Sequence, residues 1–237
     1  MNASLPVLTE ARIRDGIQRF RAWQRHQDDA LATAVLALQQ AQIHRLRQTH
    51  ADLLADASTQ PITEFFLSEI YTGLDLHELA REIEKALPVA MRMLPESVMR
   101  TAAVAVECNA ITGELDEATA GWLLARGLHA DDEAALVAAY QAGDMALRQA
   151  QAQLLRELGL GLDRYVRSRL ITATFRMVSG PARMAGLGGL YDFMAHGFAV
   201  MKPMRSVAAF LDVFLGRELQ ILDNLAQNRP DPFHCES

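Results

Sequence analysis

Cysteine is almost missing from this chain: Cys108 and Cys235 stand far apart, so no disulfide framework is available and a reducing compartment is the natural setting. Proline and glycine number only 8 and 14 in 237 residues, and aromatics make up 6%. Alternating β-branched runs, the mark of half-buried strands, do not occur. No apolar run approaches the ~18 residues that a membrane span needs. The opening MNASLPVLTEARIRDG has no apolar stretch of the kind that a secretion signal carries. These absences lead us to expect a cytoplasmic protein with no transmembrane segment.

What the chain does contain is helix-forming. Hydrophobic residues make up 50% and charged residues 22%, with a net charge of -6, a globular balance. Area scaling puts about 70% of the unfolded surface out of water on folding, so the core is not in short supply. Between the sparse glycines and prolines run long stretches of Ala, Leu, Arg, Glu and Gln, which lose least on entering a helix.

Apolar positions recur at helical spacing in each stretch. Ile13, Ile17 and Phe20 mark a helix over 9–26, with Thr9 as its cap; Leu31, Val35, Leu38, Gln42, Leu46 and Leu53 mark one over 31–56, either separate or continuous with the first. A helix is expected to start just after Pro61 and end near Gly73, and another to span 75–94 with a kink at Pro88. Residues 96–126 read as one helix or two, the break falling at Thr112-Gly113. The acids Asp131-Asp132-Glu133 open a helix reaching about residue 158, where Gly159 and Gly161 punctuate the chain. Helices over 162–178, 190–201 and 206–228 follow, with at most a turn or two at 181–185. Such amphipathic helices must bury their stripes on one another. The expectation is an all-α, single-domain multi-helix bundle over 1–228, followed by a mobile C-terminal tail over 229–237.

The first helix carries Arg12, Arg14, Arg19, Arg21 and Arg25 against Glu10 and Asp15, flanking its apolar stripe. Peripheral membrane contact is one reading of that arrangement; pairing with acids on neighbouring helices is the plainer one. Nucleic acid is excluded as a partner on the acidic balance and the lack of a recognisable motif.

The most distinctive segment is Glu64-Phe65-Phe66-Leu67-Ser68-Glu69-Ile70-Tyr71-Thr72-Gly73-Leu74-Asp75, followed by Arg81. Asp75 could cap the helix containing Arg81, with Tyr71 bonded across the turn. Alternatively Glu69, Tyr71, Asp75 and Arg81, with His50, form a polar cluster in which one carboxylate serves as a general base. The segment resembles a group of uncharacterised bacterial proteins with the pattern FFL-x-x-hydrophobic-Y-G-x-x-D followed by an Arg. Phe65, Phe66, Leu67, Tyr71, Asp75 and Arg81 match it, while Thr72 stands where the pattern has Gly, just before Gly73. The resemblance extends to Arg47-Gln48-Thr49-His50-Ala51-Asp52-Leu53, where His50 replaces a Tyr, to Met93-Leu94-Pro95, and through residues 181–193. It implies a helical domain of unknown function and brings no activity with it.

No Glu-x-x-His pair exists and no cysteines have zinc spacing, so we expect no metal and no cofactor. A haem needs only one axial His, and His26, His44, His50 and His196 all fall on expected helices; solvent-facing or packed histidines are the plainer account. Cys108, inside an apolar helix, reads as an inert packed thiol. The glycines from Gly180 to Gly189 precede a helix whose amino end could hold an anion, yet they carry neither nucleotide fingerprint and more simply let helices approach. Met177, Met184, Phe193, Met194, Phe198 and Met201 gather in the same region, either as core or as an apolar groove. The reading that follows is a non-catalytic binding or regulatory module engaging a protein partner or small apolar ligand through this Met/Phe-rich half, with a homodimer open. The alternative is a helical enzyme built on the polar cluster.

Overall fold

The computed structural model describes residues 5–25, 29–70 and 76–235, and within them the side chains of residues 8–19, 29–68 and 81–235. Among the described residues there is no strand. In chain order the helices are α1 (Leu5–Arg25), α2 (Asp29–Thr49), α3 (Ala51–Ala55), α4 (Gln60–Phe65) running into a π-helical turn (Phe66–Ile70), α5 (Leu76–Met93) and α6 (Glu96–Leu124). Then come α7 (Glu133–Ala142), α8 (Met145–Arg167), α9 (Arg169–Met177), α10 (Ser179–Met184), α11 (Gly188–Met201) and α12 (Val207–Ala226).

Helix α6 is the strut. Its 29 residues run unbroken through Thr112-Gly113 and reach about 43 Å at helical rise; α1, α2 and α8 pack along it, and α12 lies on α8. Helix α1 brings Ile13 and Ile17 against Leu87, Met99 and Ala103. It approaches α6 so closely at Gly16 that a Cβ there would stand 2.7 Å from Val106 Cγ1. A second apolar cluster joins Val35 and Leu38 to Leu123, Leu136, Tyr140, Ile221 and Leu225. A third, centred on Phe65, Phe210, Leu211 and Phe214, carries Leu46, Val166 and Met201. No helix among the described residues is long and apolar enough to cross a membrane.

Three expectations about boundaries change. The helix expected to run to about residue 158 is divided at Gly143-Asp144, because two side-chain caps compete for the chain. Asp132 accepts from Ala134 N at 3.0 Å to start α7, and Asp144 accepts from Leu147 N at 2.9 Å to start α8. Helix α8 then passes straight through Gly159 and Gly161, which serve close packing: a Cβ at Gly159 would lie 2.7 Å from Leu211 Cδ1, and one at Gly161 3.0 Å from Thr101. The actual break is Ser168, whose hydroxyl accepts from Ile171 N and caps α9.

Beyond residue 228, where a mobile tail was expected, residues 229–235 fold back. Asn224 Nδ2 donates to the carbonyls of Pro232 at 3.2 Å and His234 at 3.4 Å. Phe233 stands edge-on to Tyr140 at 5.9 Å, with the Arg45 guanidinium over its ring. The aromatic anchor Phe233 and the amide of Asn224 supply what a Pro-rich composition does not reveal.

Candidate functional site

Residues 164–205 carry seven Lys or Arg residues against Asp192 alone, in a chain whose net charge is -6. Within them a cation followed by a large apolar residue recurs every seven positions: Arg169-Leu170, Arg176-Met177 and Arg183-Met184. The Ser168 break turns α9 off the end of α8. Ile171, Thr172 and Phe175 then seat α9 half-buried, with Phe175 stacked on Tyr191 at 4.5 Å and tilted against Phe198. At ~100° per residue, Leu170, Thr174 and Met177 share the outward face, and Arg169 and Arg176 fall together on one flank of it. Neither α9 nor α10 buries a residue. Leu170, Met177 and Met184 are 77%, 73% and 86% exposed.

On that flank Arg167, Arg169, Arg176 and Lys202 bound a cleft of about 530 Å³, completed by Val166, Thr172 and Ala173. Arg167 is fixed: its Nε lies 2.9 Å from Asp163 and its Nη2 donates to the Met204 carbonyl at 3.0 Å. Among the described residues no carboxylate pairs with Arg169, Arg176 or Lys202. Arg169, Arg176 and Lys202 around one cleft repel one another, a cost that an anion would relieve. The tip Arg183 is occupied, paired with Asp192 and lying over Tyr191.

The interior is polar in a different way. Arg45 of α2 donates through Nη1 to both oxygens of Glu218 at 2.7 Å, and His50 Nε2 meets the same carboxylate at 3.0 Å. The carboxylate only accepts, so Nε2 carries the proton. His50 is fully buried and stacked on Phe214 at 3.9 Å. Burial pushes the Glu218 carboxyl up, but Arg45 and His50 more than reverse this and hold it below the ordinary value. Further along α2, Gln39 Nε2 donates to the wholly buried Asp116 at 3.1 Å, and burial raises that carboxyl to about 6. These groups bond to one another in closed surroundings, although His50 Nδ1 is buried without a hydrogen-bond partner, and their chemistry is that of a polar core.

Of the polar cluster singled out from sequence, only His50 and Arg81 have described side chains. Tyr71 and Asp75 lie outside the described residues, as does the side chain of Glu69. His50 sits in the buried trio, whereas Arg81 is exposed and edges a small cleft with Glu82, Lys85 and Gly186. The Met/Phe set divides. Phe193 and Phe198 pack against the core beside buried Met201, and Gly197 makes room for the Phe65 ring, whose Cζ would stand 3.1 Å from an added Cβ. Met194 is half-buried, while Met177 and Met184 face outward.

Of the α1 arginines, Arg12 pairs with Glu107 and Arg19 with Glu114, both on α6, and Arg14 with Glu10. The side chains of Arg21 and Arg25 lie outside the described set. His44 bonds Gln48 at 3.0 Å, His196 stands edge-on to Phe65, and His26 is outside the described residues. Among the described residues no three His, Cys, Asp or Glu side chains group to hold a metal. The Cys108 thiol is pushed up to about 12 by burial. The cleft cations Arg167, Arg169, Arg176 and Lys202, and the trio partners Arg45 and Glu218, were not singled out. The seven-residue recurrence was the available signal for Arg169 and Arg176, and Arg45 on the inward side of the Leu38–Leu46 stripe for the second set.

Fold and site together define an all-helical protein with a closed polar interior and a basic, outward-facing cleft beside exposed apolar side chains. The chain belongs to the family described as Domain of unknown function (DUF8198), whose model matches residues 22–232. No curated protein and no solved structure matches the chain.

Proposed function

We propose that the chain is a non-catalytic binding module that attaches to anionic lipid interfaces through α9 and α10. The observation that carries this reading is the exposure of Leu170, Met177 and Met184, at 77%, 73% and 86%, the first two beside Arg169 and Arg176, cations without carboxylate partners among the described residues. Each such side chain gains roughly 1.5–3 kcal/mol on full burial in an apolar phase. Each Lys or Arg held near an anionic surface adds about 1 kcal/mol. The overall negative charge opposes this only weakly, because salt screens beyond ~10 Å and the patch meets the surface first. Apolar side chains set among the cations suit acyl chains, whereas single-stranded nucleic acid is held by stacked aromatics. Phe193 and Met201 are committed to the core, which weighs against an apolar ligand groove built from the whole Met/Phe set.

Co-sedimentation with vesicles tests the reading. The wild type should pellet with phosphatidylcholine vesicles containing phosphatidylglycerol and stay in solution with phosphatidylcholine alone. Leu170→Glu with Met177→Glu should abolish pelleting while the helical dichroism is retained. Failure of the wild type to bind either vesicle overturns the proposal. If that failure came with a self-associated species that the double variant dissolves, the face would belong to a homodimer.

A further inference from the structure

We propose that the cleft between the end of α8, α9 and the end of α11 is a recognition pocket for a phosphomonoester or pyrophosphate group carrying two or more negative charges. This deepens the interfacial reading by naming the headgroup chemistry, but it stands on the cleft's own geometry. At about 530 Å³ the cleft has the size of a small-molecule site. Its cations come from three helical ends: Arg167 closes α8, Arg169 and Arg176 flank α9, and Lys202 follows α11. Two turns of helix separate Arg169 from Arg176, about 10 Å along the axis, so the charges ring the space and do not converge on one atom. An extended anion with more than one charge answers such a ring; a single carboxylate or phosphodiester leaves most of it unmatched.

The donors also favour phosphate. Guanidinium forks bind phosphate oxygens in pairs, and three of the four cations are arginines. Arg167 is held in advance by Asp163 and the Met204 carbonyl, so little ordering is required there. The Thr172 hydroxyl donates to the Ser168 carbonyl at 2.9 Å, which leaves its oxygen free to accept only. The guanidinium and ammonium groups must therefore supply the donors. The phosphate group has two sources, a lipid headgroup at the interface or a free metabolite, and both present the same chemistry to the cleft.

Calorimetric titration with inorganic pyrophosphate, run beside vesicle binding, tests the pocket. The wild type should bind pyrophosphate, and Arg176→Gln with Lys202→Gln should weaken it about tenfold or more. Vesicles containing phosphatidic acid should be preferred over those containing phosphatidylglycerol, and the same double variant should erase that preference. Leu170→Ser with Met177→Ser, which adds no charge beside Arg169 and Arg176, should leave pyrophosphate affinity intact. Binding of pyrophosphate that depends on Arg176 and Lys202, in a chain that ignores all vesicles, supports the pocket, assigns the source to a free phosphate and ends the interfacial reading. Absence of pyrophosphate binding, or equal affinity in wild type and double variant, overturns the pocket. Vesicle binding indifferent to the headgroup would then leave the interfacial reading standing alone.

Discussion

The carboxylate of Glu82 sits on the amino end of α11, accepting from Leu190 N at 2.7 Å and from Gly189 N at 3.3 Å. The glycine segment before α11 does form an anion site, and a side chain of α5 fills it. Glu82 is itself buried, so its negative charge is matched by two backbone donors and by the positive end of the helix. An added Cβ at Gly189 would stand 3.2 Å from the carboxylate, which accounts for a glycine at that position. Through this contact α5 helps to hold α11, against which α9 rests.

Glu82→Ala should therefore cost about 1–2 kcal/mol of stability, the loss of a good cap at the helix start. The loss should be local. Amide exchange should quicken at the start of α11 and leave the α6 core unchanged. Equal quickening along α6 would mean that Glu82 acts on the whole fold, against this account.

A larger penalty is expected at the buried trio. Arg45→Met leaves the Glu218 carboxylate with His50 alone in surroundings that disfavour charge, and breaking a buried pair in this way costs about 3–5 kcal/mol. Arg45→Met combined with Glu218→Leu removes both charges and should recover most of that loss in urea unfolding. The pair would be shown to stabilise in its own right if the double variant were no more stable than the single.

Periodicity made the helices legible, because a stripe such as Leu38, Gln42, Leu46 repeats at the helical period wherever the partner lies. The Asp132 acids and Pro88 were equally local signals. What escaped was set by contacts between distant segments. Gly159 looks like a stop until Leu211 is placed beside it. Arg45 and Glu218 are 173 positions apart, and nothing on α12 advertises that this glutamate turns inward. The cleft cations were passed over for a related reason: arginines on the first helix are more densely spaced, yet Arg12 and Arg19 are neutralised by α6. Arg169, Arg176 and Lys202 stand without such partners among the described residues because of how three helices end.

Gly159 sets two effects against each other. Alanine improves helix propensity by about 1 kcal/mol in an exposed interior position. Here its Cβ would lie 2.7 Å from Leu211 Cδ1 and 3.2 Å from Cδ2, and Leu211 is fully buried within an apolar cluster, so any shift presses on its neighbours. Overpacking of this kind costs about 1–3 kcal/mol, so Gly159→Ala should be destabilising on balance. Pairing it with Leu211→Ala should rescue part of the loss, since the new methyl then fills space the leucine vacated. A single variant as stable as the wild type would show that α8 and α12 can slide apart at no cost.

Asp116 should leave a mark on the pH dependence of stability. It is enclosed on α6, with Gln39 and Gln42 of α2 as hydrogen-bonding partners and Arg148 of α8 as the nearby cation. Arg148 is itself drawn to Thr119 at 2.7 Å and lies over the Tyr140 ring, so its help is incomplete and burial prevails. The folded carboxyl titrates at about 6 against an ordinary 3.8. Between those values the folded chain keeps a proton that the unfolded chain has released, so this group's contribution falls as pH rises through the interval and is level above it. A gap of that size corresponds to about 3 kcal/mol. Asp116→Asn removes the titration, and the stability of the variant relative to the wild type should rise from about pH 4 to about pH 7 and then stay constant. Asp52, held down at about 2 by Arg217, and the other paired carboxylates titrate alike in both proteins and cancel in the difference. Urea unfolding of the two proteins across that range measures it. A difference that does not change with pH would mean that Asp116 is ionised in the core at all of these values, with Arg148 and the two glutamines compensating its burial in full.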